Sequence, residues 1–100
     1  MQKTKLVAEP GRVVKSIAGR DAGKYFVIYT VDGVYCTIVD GRYHKSARPK
    51  KKKQKHLRLT ENMLGTIAEK WAADKKVFDS EIAGKLKEFN ETEQTGSKQS

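Results

Sequence analysis

The sequence predicts a mainly β protein: a small β-barrel followed by two short C-terminal α-helices. Three observations predict it. Residues 11–47 are rich in β-branched and aromatic side chains and are cut by glycine turns. From Thr60 onward the apolar residues recur at helical spacing instead of alternating. Between these textures lies a lysine-rich stretch containing Pro49, which interrupts strand pairing.

Arg12–Ile17, Tyr25–Val31 and Val34–Val39 read as short strands. Asp32-Gly33 between the second and third is a hairpin signal, because glycine accepts positive φ without steric cost. Asp40-Gly41 repeats the signal, so a fourth strand is expected over Arg42–Ser46 and a fifth over His56–Leu59. Five short strands with tight turns point to a barrel, since closure removes exposed edges. Ala47–Lys55 reads as a basic loop whose four consecutive lysines repel one another and stay mobile without a partner.

Met63, Leu64, Ile67, Ala68 and Trp71 share one helical face, with Thr60 as N-cap and Glu61 suited to the first turn. Gly65 weakens this helix by roughly 1 kcal/mol relative to alanine. Trp71 is the expected packing anchor between helix and barrel. A second helix starts at Asp79, with Ile82, Leu86 and Phe89 as its apolar face. Residues 92–100 lack large apolar groups and read as a disordered tail. The organisation is thus a barrel over 1–59, a helical extension over 60–91 and the tail.

The 100 residues make one domain with a modest core. No apolar run reaches the ~20 residues of a membrane span. Met1–Leu6 carries no long apolar stretch after its lysines, and the expectation is a soluble, cytoplasmic protein. A single cysteine, Cys36, excludes an intramolecular disulfide and alternates with Ile38 on an inward face, as a buried thiol does.

The charge is concentrated. The formal net charge is +9, from 21 Lys and Arg against 12 Asp and Glu. Residues 41–60 hold nine of the cations (Arg42, Lys45, Arg48, Lys50, Lys51, Lys52, Lys53, Lys55 and Arg58) and no acid. The other eighty residues cancel, twelve against twelve. A dense patch of one sign attracts a polyanion and makes its binding salt-sensitive. Six lysines to three arginines favours tracking of phosphates over reading of bases. If six of these groups neutralise phosphates, the log–log salt slope is about −4 to −5.

From Gly11 to Ile28 a strand enters a polar loop with two glycines, Gly19 and Gly23, and a second strand leaves it. This resembles a KOW motif. Val34-Tyr35-Cys36-Thr37-Ile38-Val39-Asp40-Gly41 resembles the strand and turn that follow it in that family. Arg48-Pro49-Lys50-Lys51-Lys52, then Lys55-His56-Leu57, resembles its basic segment running into a Lys-His-Leu element. The chain is similar to bacterial KOW-domain RNA-binding proteins related to eukaryotic-type large-subunit ribosomal proteins of the fourteenth, sixth and twenty-seventh families. The match covers 11–59 well and 60–91 less specifically. It implies an SH3-like barrel whose loops contact RNA, typically ribosomal RNA, and no catalytic activity or cofactor.

Arg20 and Lys24 in the KOW loop are then a second expected contact, and Tyr43, His44 and His56 are candidates to stack on or hydrogen-bond to bases. His44, His56 and Cys36 lack metal-ligand spacing, so no metal site is expected. Asp21, Asp32 and Asp40 sit beside glycine-containing turns, which accounts for them without acid–base catalysis. The expected protein is a monomeric, non-enzymatic RNA binder, cytoplasmic or ribosome-associated. The rival is a KOW protein-interaction module, a transcription or translation adaptor in which the barrel or the amphipathic helices bind ribosomal or transcription proteins.

Overall fold

In the computed structural model of the protein, residues 5–99 are described, with side chains through Glu91. The architecture is mainly β. Strands β1 (Arg12–Ser16), β2 (Tyr25–Asp32), β3 (Tyr35–Val39), β4 (Lys50–Lys53) and β5 (Leu57–Met63) precede helices α1 (Gly65–Ala72) and α2 (Asp79–Gln99). A single 3-10 turn, Gln54–His56, joins β4 to β5. The strands form one open sheet in the order β4-β3-β2-β1-β5, with every pairing antiparallel.

Strand alternation sorts the apolar residues into two cores. Val13, Val27 and Val39 lie in register on one face, where Ile67 of α1, Val77, and Ile82 and Leu86 of α2 cover them. Trp71 anchors α1 to this face, its ring 4.8 Å from that of Tyr29, while Phe89 of α2 lies 5.6 Å from Tyr25. On the other face Val14, Phe26, Ile28, Cys36, Ile38 and Leu57 make the second core, with Ala8 and Leu59 against it. Cys36 is fully buried, as expected, and burial pushes its thiol pKa up. Irregularities in register between Arg12 and Val14 and between Ile28 and Thr30 bend the strands.

The β2–β3 hairpin turns at Gly33 and Val34, with Asp32 paired to Tyr35. Gly33 has φ +62° and stands first in the two-residue loop, where a II′ turn takes glycine.

Three expectations are corrected. Arg42–Ser46 is not a strand, because the Asp40 carboxylate accepts the backbone N–H groups of Arg42, Tyr43 and His44 at 2.9, 3.0 and 2.8 Å. Those amides are thereby lost to any ladder. The lysine run is not a loop: Lys50–Lys53 is strand β4, with Lys53 opposite Tyr35 and Lys50 opposite Ile38. β5 extends to Met63, taking Thr60–Met63 from the expected helix. The Thr60 hydroxyl does not cap a helix; it donates to the Val13 carbonyl at 2.7 Å. α1 therefore starts at Gly65, and Leu64, Ile67 and Trp71 still face the sheet.

α2 begins at Asp79 as the pattern predicts, and its backbone continues to Gln99 through the stretch read as a tail. The side chains of 92–99, and Ser100 altogether, lie outside the described residues.

Gly41 joins the sheet to α2. It has φ +78°, and a Cβ there would collide with the Asp79 carbonyl and the Ala83 amide. Gly41→Ala is expected to cost about 2–4 kcal/mol, lowering the melting temperature by on the order of 10 °C. Gly33→Ala meets no atom within 4 Å and suffers only the φ penalty of about 1 kcal/mol. Thermal denaturation followed by circular dichroism compares them, and equal losses would contradict the close contact between Gly41 and α2.

Candidate nucleic-acid interface

The lysine run is organised by a carboxylate that precedes Lys52 by 31 residues. Asp21 lies in the loop between β1 and β2, which is pinned by bonds from Gly23 N–H to the Ser16 carbonyl (2.8 Å) and from Lys24 N–H to the Asp21 carbonyl (3.0 Å). Asp21 Oδ1 accepts from the Ser16 hydroxyl at 2.7 Å and from Lys52 Nζ at 2.6 Å. Lys52 Nζ donates a second bond, 2.7 Å, to the Ala18 carbonyl. Lys50 Nζ stands 3.6 Å from Asp21 Oδ2, an otherwise unpartnered buried oxygen. Burial alone would raise the Asp21 pKa. The hydrogen bonds from Lys52 and Ser16 and the charges of Lys52 and Lys50 outweigh it and bring the pKa down to about 2.

β4 then divides the run by face. Lys50 and Lys52 point with Ile38 and Cys36 toward the second core and Asp21, whereas Lys51 and Lys53 point the other way with Thr37 and Tyr35. Lys52 is only 9% exposed and its ammonium donates to Asp21 and to the Ala18 carbonyl, so unlike Lys51 and Lys53, also expected RNA contacts, it does not face outward. Lys51 and Lys53 are exposed, with Lys51 Nζ 4.7 Å above the Tyr35 ring. Lys55 is exposed in the 3-10 turn that follows. Gln54 ties this turn to the hairpin tip, donating from Nε2 to the Gly33 carbonyl at 2.6 Å and from its backbone N–H to the Val34 carbonyl at 2.8 Å. Arg58 is exposed on β5 opposite Lys15.

A second cluster forms at the other end of β2 and β3. Lys24 and Arg42 bring their positive groups to 5.4 and 5.6 Å from the ring of Tyr43, which is 73% exposed. Beside it runs a groove of about 590 Å³ lined by Lys24, Arg42 and Tyr43 on one side and by Ala83, Lys87 and Asn90 of α2 on the other. The turn bearing Tyr43 is tied down further on, where the Ser46 N–H and hydroxyl both bond Asp79 Oδ1 at 2.8 Å. Those bonds, with the charges of Lys45 and Lys76, hold the Asp79 pKa below its ordinary value against a smaller effect of burial.

The remaining candidates are dispersed. Arg20, Lys45 and Arg48 are exposed. His44 is half-buried with its ring 5.8 Å from Phe26, and its carbonyl accepts from Asp40 and Gly41. His56 is half-buried and its carbonyl accepts from Ile17. The His44 ring is thus engaged with the fold, while for His56 the engaged group is the backbone carbonyl. Sequence reasoning missed the role of Asp21, read as turn chemistry, and the contribution of Lys87 and Asn90. An acid-free lysine run able to alternate on a strand was the one signal that some distant carboxylate had to answer it.

No protein-family model and no curated protein sequence matches this chain. Among the described residues, no group of three His, Cys, Asp or Glu could hold a metal ion, and no helix is long and apolar enough to cross a membrane.

Asp21→Asn is expected to lower stability by about 2–3 kcal/mol at neutral pH, because it leaves Lys52 buried without its counter-charge. The folded-state pKa of about 2 lies below the ordinary 3.8. The stabilisation is therefore complete above pH ~4 and is lost as pH falls toward 2. Urea titrations of both proteins between pH 7 and pH 2.5 should show the gap narrowing over that interval; a gap independent of pH would contradict the ion pair.

Proposed function

We propose that this chain is a non-enzymatic RNA-binding protein whose sheet is the SH3-like barrel of a KOW domain, docking on structured RNA, with ribosomal RNA the leading candidate. One observation carries the reading. Of the nine cations in the acid-free segment, only Lys50 and Lys52 have a carboxylate within salt-bridge distance among the described residues, and both share Asp21. The exposed cations are thus left to an external anion. Lys51 and Lys53 stand on one face of an edge strand, with Lys55 just beyond them. Flexible ammonium groups spaced along a strand suit a phosphate backbone better than base edges.

The two clusters lie on the order of 15 Å apart along β3, within reach of one short stretch of nucleic acid. The first lies on the helix-bearing side of β4 and the second beside α2. The adaptor reading has less support, because the apolar faces of both helices are already buried on the sheet through Ile67, Ile82 and Leu86. The proposed setting is the cytoplasm, in association with ribosomes.

Lys51→Glu/Lys53→Glu tests the proposal in a filter-binding salt titration with a structured ribosomal RNA fragment. Wild type is expected to give a log–log slope of about −4 to −5, and the double variant to bind at least tenfold more weakly with a slope shallower by about 1.5. Lys52→Gln is expected to lower thermal stability and leave the slope unchanged. Unchanged RNA binding by the double variant would refute the interface.

A further inference from the structure

We propose that Tyr43, flanked by Lys24 and Arg42 at the mouth of the α2 groove, is a stacking site for an unpaired base, so that RNA engaged at this end of the sheet is single-stranded there. The inference rests on the RNA-binding reading and deepens it by naming the form of RNA this site takes.

Tyr43 differs from the other three tyrosines. Tyr25 packs on Phe89, Tyr29 packs on Trp71, and Tyr35 lies half-buried beneath Lys51. Tyr43 is 73% exposed, the most exposed large hydrophobic side chain among the described residues, and core packing gives no account of it. Its backbone is nevertheless fixed. The Asp40 carboxylate holds the amides of Arg42, Tyr43 and His44, and Gly41 is wedged against the α2 backbone. An aromatic ring on a rigid turn loses little freedom when it binds, which is what makes a good stacking platform.

The flanking charges come from two separate segments, Lys24 from the β1–β2 loop and Arg42 from the β3–β4 connection. Both sit on flexible stems and can swing from the ring to the phosphates on either side of a stacked base. The groove beyond the ring, about 590 Å³, has the capacity of a small-ligand site and adds Lys87 as a third cation against two acids, Glu91 and an Asp40 whose Oδ1 is already taken up by three backbone amides. Bases inside a duplex have both faces covered by their neighbours, so away from a helix end only an unpaired base can lie on this ring.

The test is fluorescence anisotropy with a labelled oligouridylate and a labelled blunt RNA duplex, titrated with wild type, Tyr43→Phe and Tyr43→Ala at one salt concentration. Tyr43→Ala is expected to weaken oligouridylate binding by about 5- to 100-fold, with Tyr43→Phe within about twofold of wild type and duplex binding unchanged for both. Independently of any substitution, the Tyr43 ring protons of wild type should move upfield when oligouridylate is added. Equal losses on both RNAs, or no loss on the oligouridylate and no ring shift, would overturn the stacking site. If Lys51→Glu/Lys53→Glu still weakens both RNAs in that case, the RNA-binding reading survives the loss of the site. A wild type that binds neither RNA overturns both.

Discussion

Everything distinctive in this molecule depends on one buried ion pair, Asp21 with Lys52. Pairing of β4 with β3 turns every second lysine of the run inward, and an inward lysine without a counter-charge is among the costliest features a small domain can carry. Asp21 removes that cost. Through the same oxygen it binds Ser16 at the end of β1, so a single carboxylate joins β1, the β1–β2 loop and β4. Such a pair contributes little to net stability beyond removing the cost of an unpaired inward charge. Because the four side chains are identical, the register is held at the end of the run, where Gln54 bonds the Gly33 and Val34 carbonyls. A slip of one residue would bury Lys51 and Lys53 and expose Lys52.

The helical extension is part of the same construction. α1 and α2 cover the face bearing Val13, Val27 and Val39. The start of α2 also holds the turn after β3, through the bonds of Ser46 to Asp79 and through the close passage of Gly41 beneath Ala83. The second cationic cluster is assembled from a loop, that turn and α2, and it has no counterpart in a sheet alone. The two clusters therefore differ in kind. The β4 lysines offer spaced charge, whereas the Lys24–Tyr43–Arg42 group offers charge around an aromatic plane.

Where local pattern and tertiary demand agree, the sequence could be read. β1 to β3 alternate and carry glycine turns, Cys36 and Ile38 lie inward, and Ile82 and Leu86 mark the buried side of α2. β4 was illegible because four lysines have no apolar alternation and repel one another; what makes them a strand is the open edge of β3 and the distant Asp21. The 42–46 segment looked like a strand because its composition says nothing of the Asp40 carboxylate capturing its amides. Residues 60–63 continued a helical period by coincidence, while the Thr60 hydroxyl bonds a carbonyl 47 residues away. For the site, the amount of positive charge was legible and its division between two faces was not.

Lysine footprinting tests the central claim most directly: acetylation of the native protein, with and without RNA, read residue by residue by mass spectrometry. The account predicts that Lys52 resists modification in both states. Lys51 and Lys53 should react readily in the free protein and become protected by RNA, more so than Lys75 or Lys85. Uniform reactivity across Lys50–Lys53 in the free protein, or RNA protection no greater there than at Lys75 and Lys85, would contradict it.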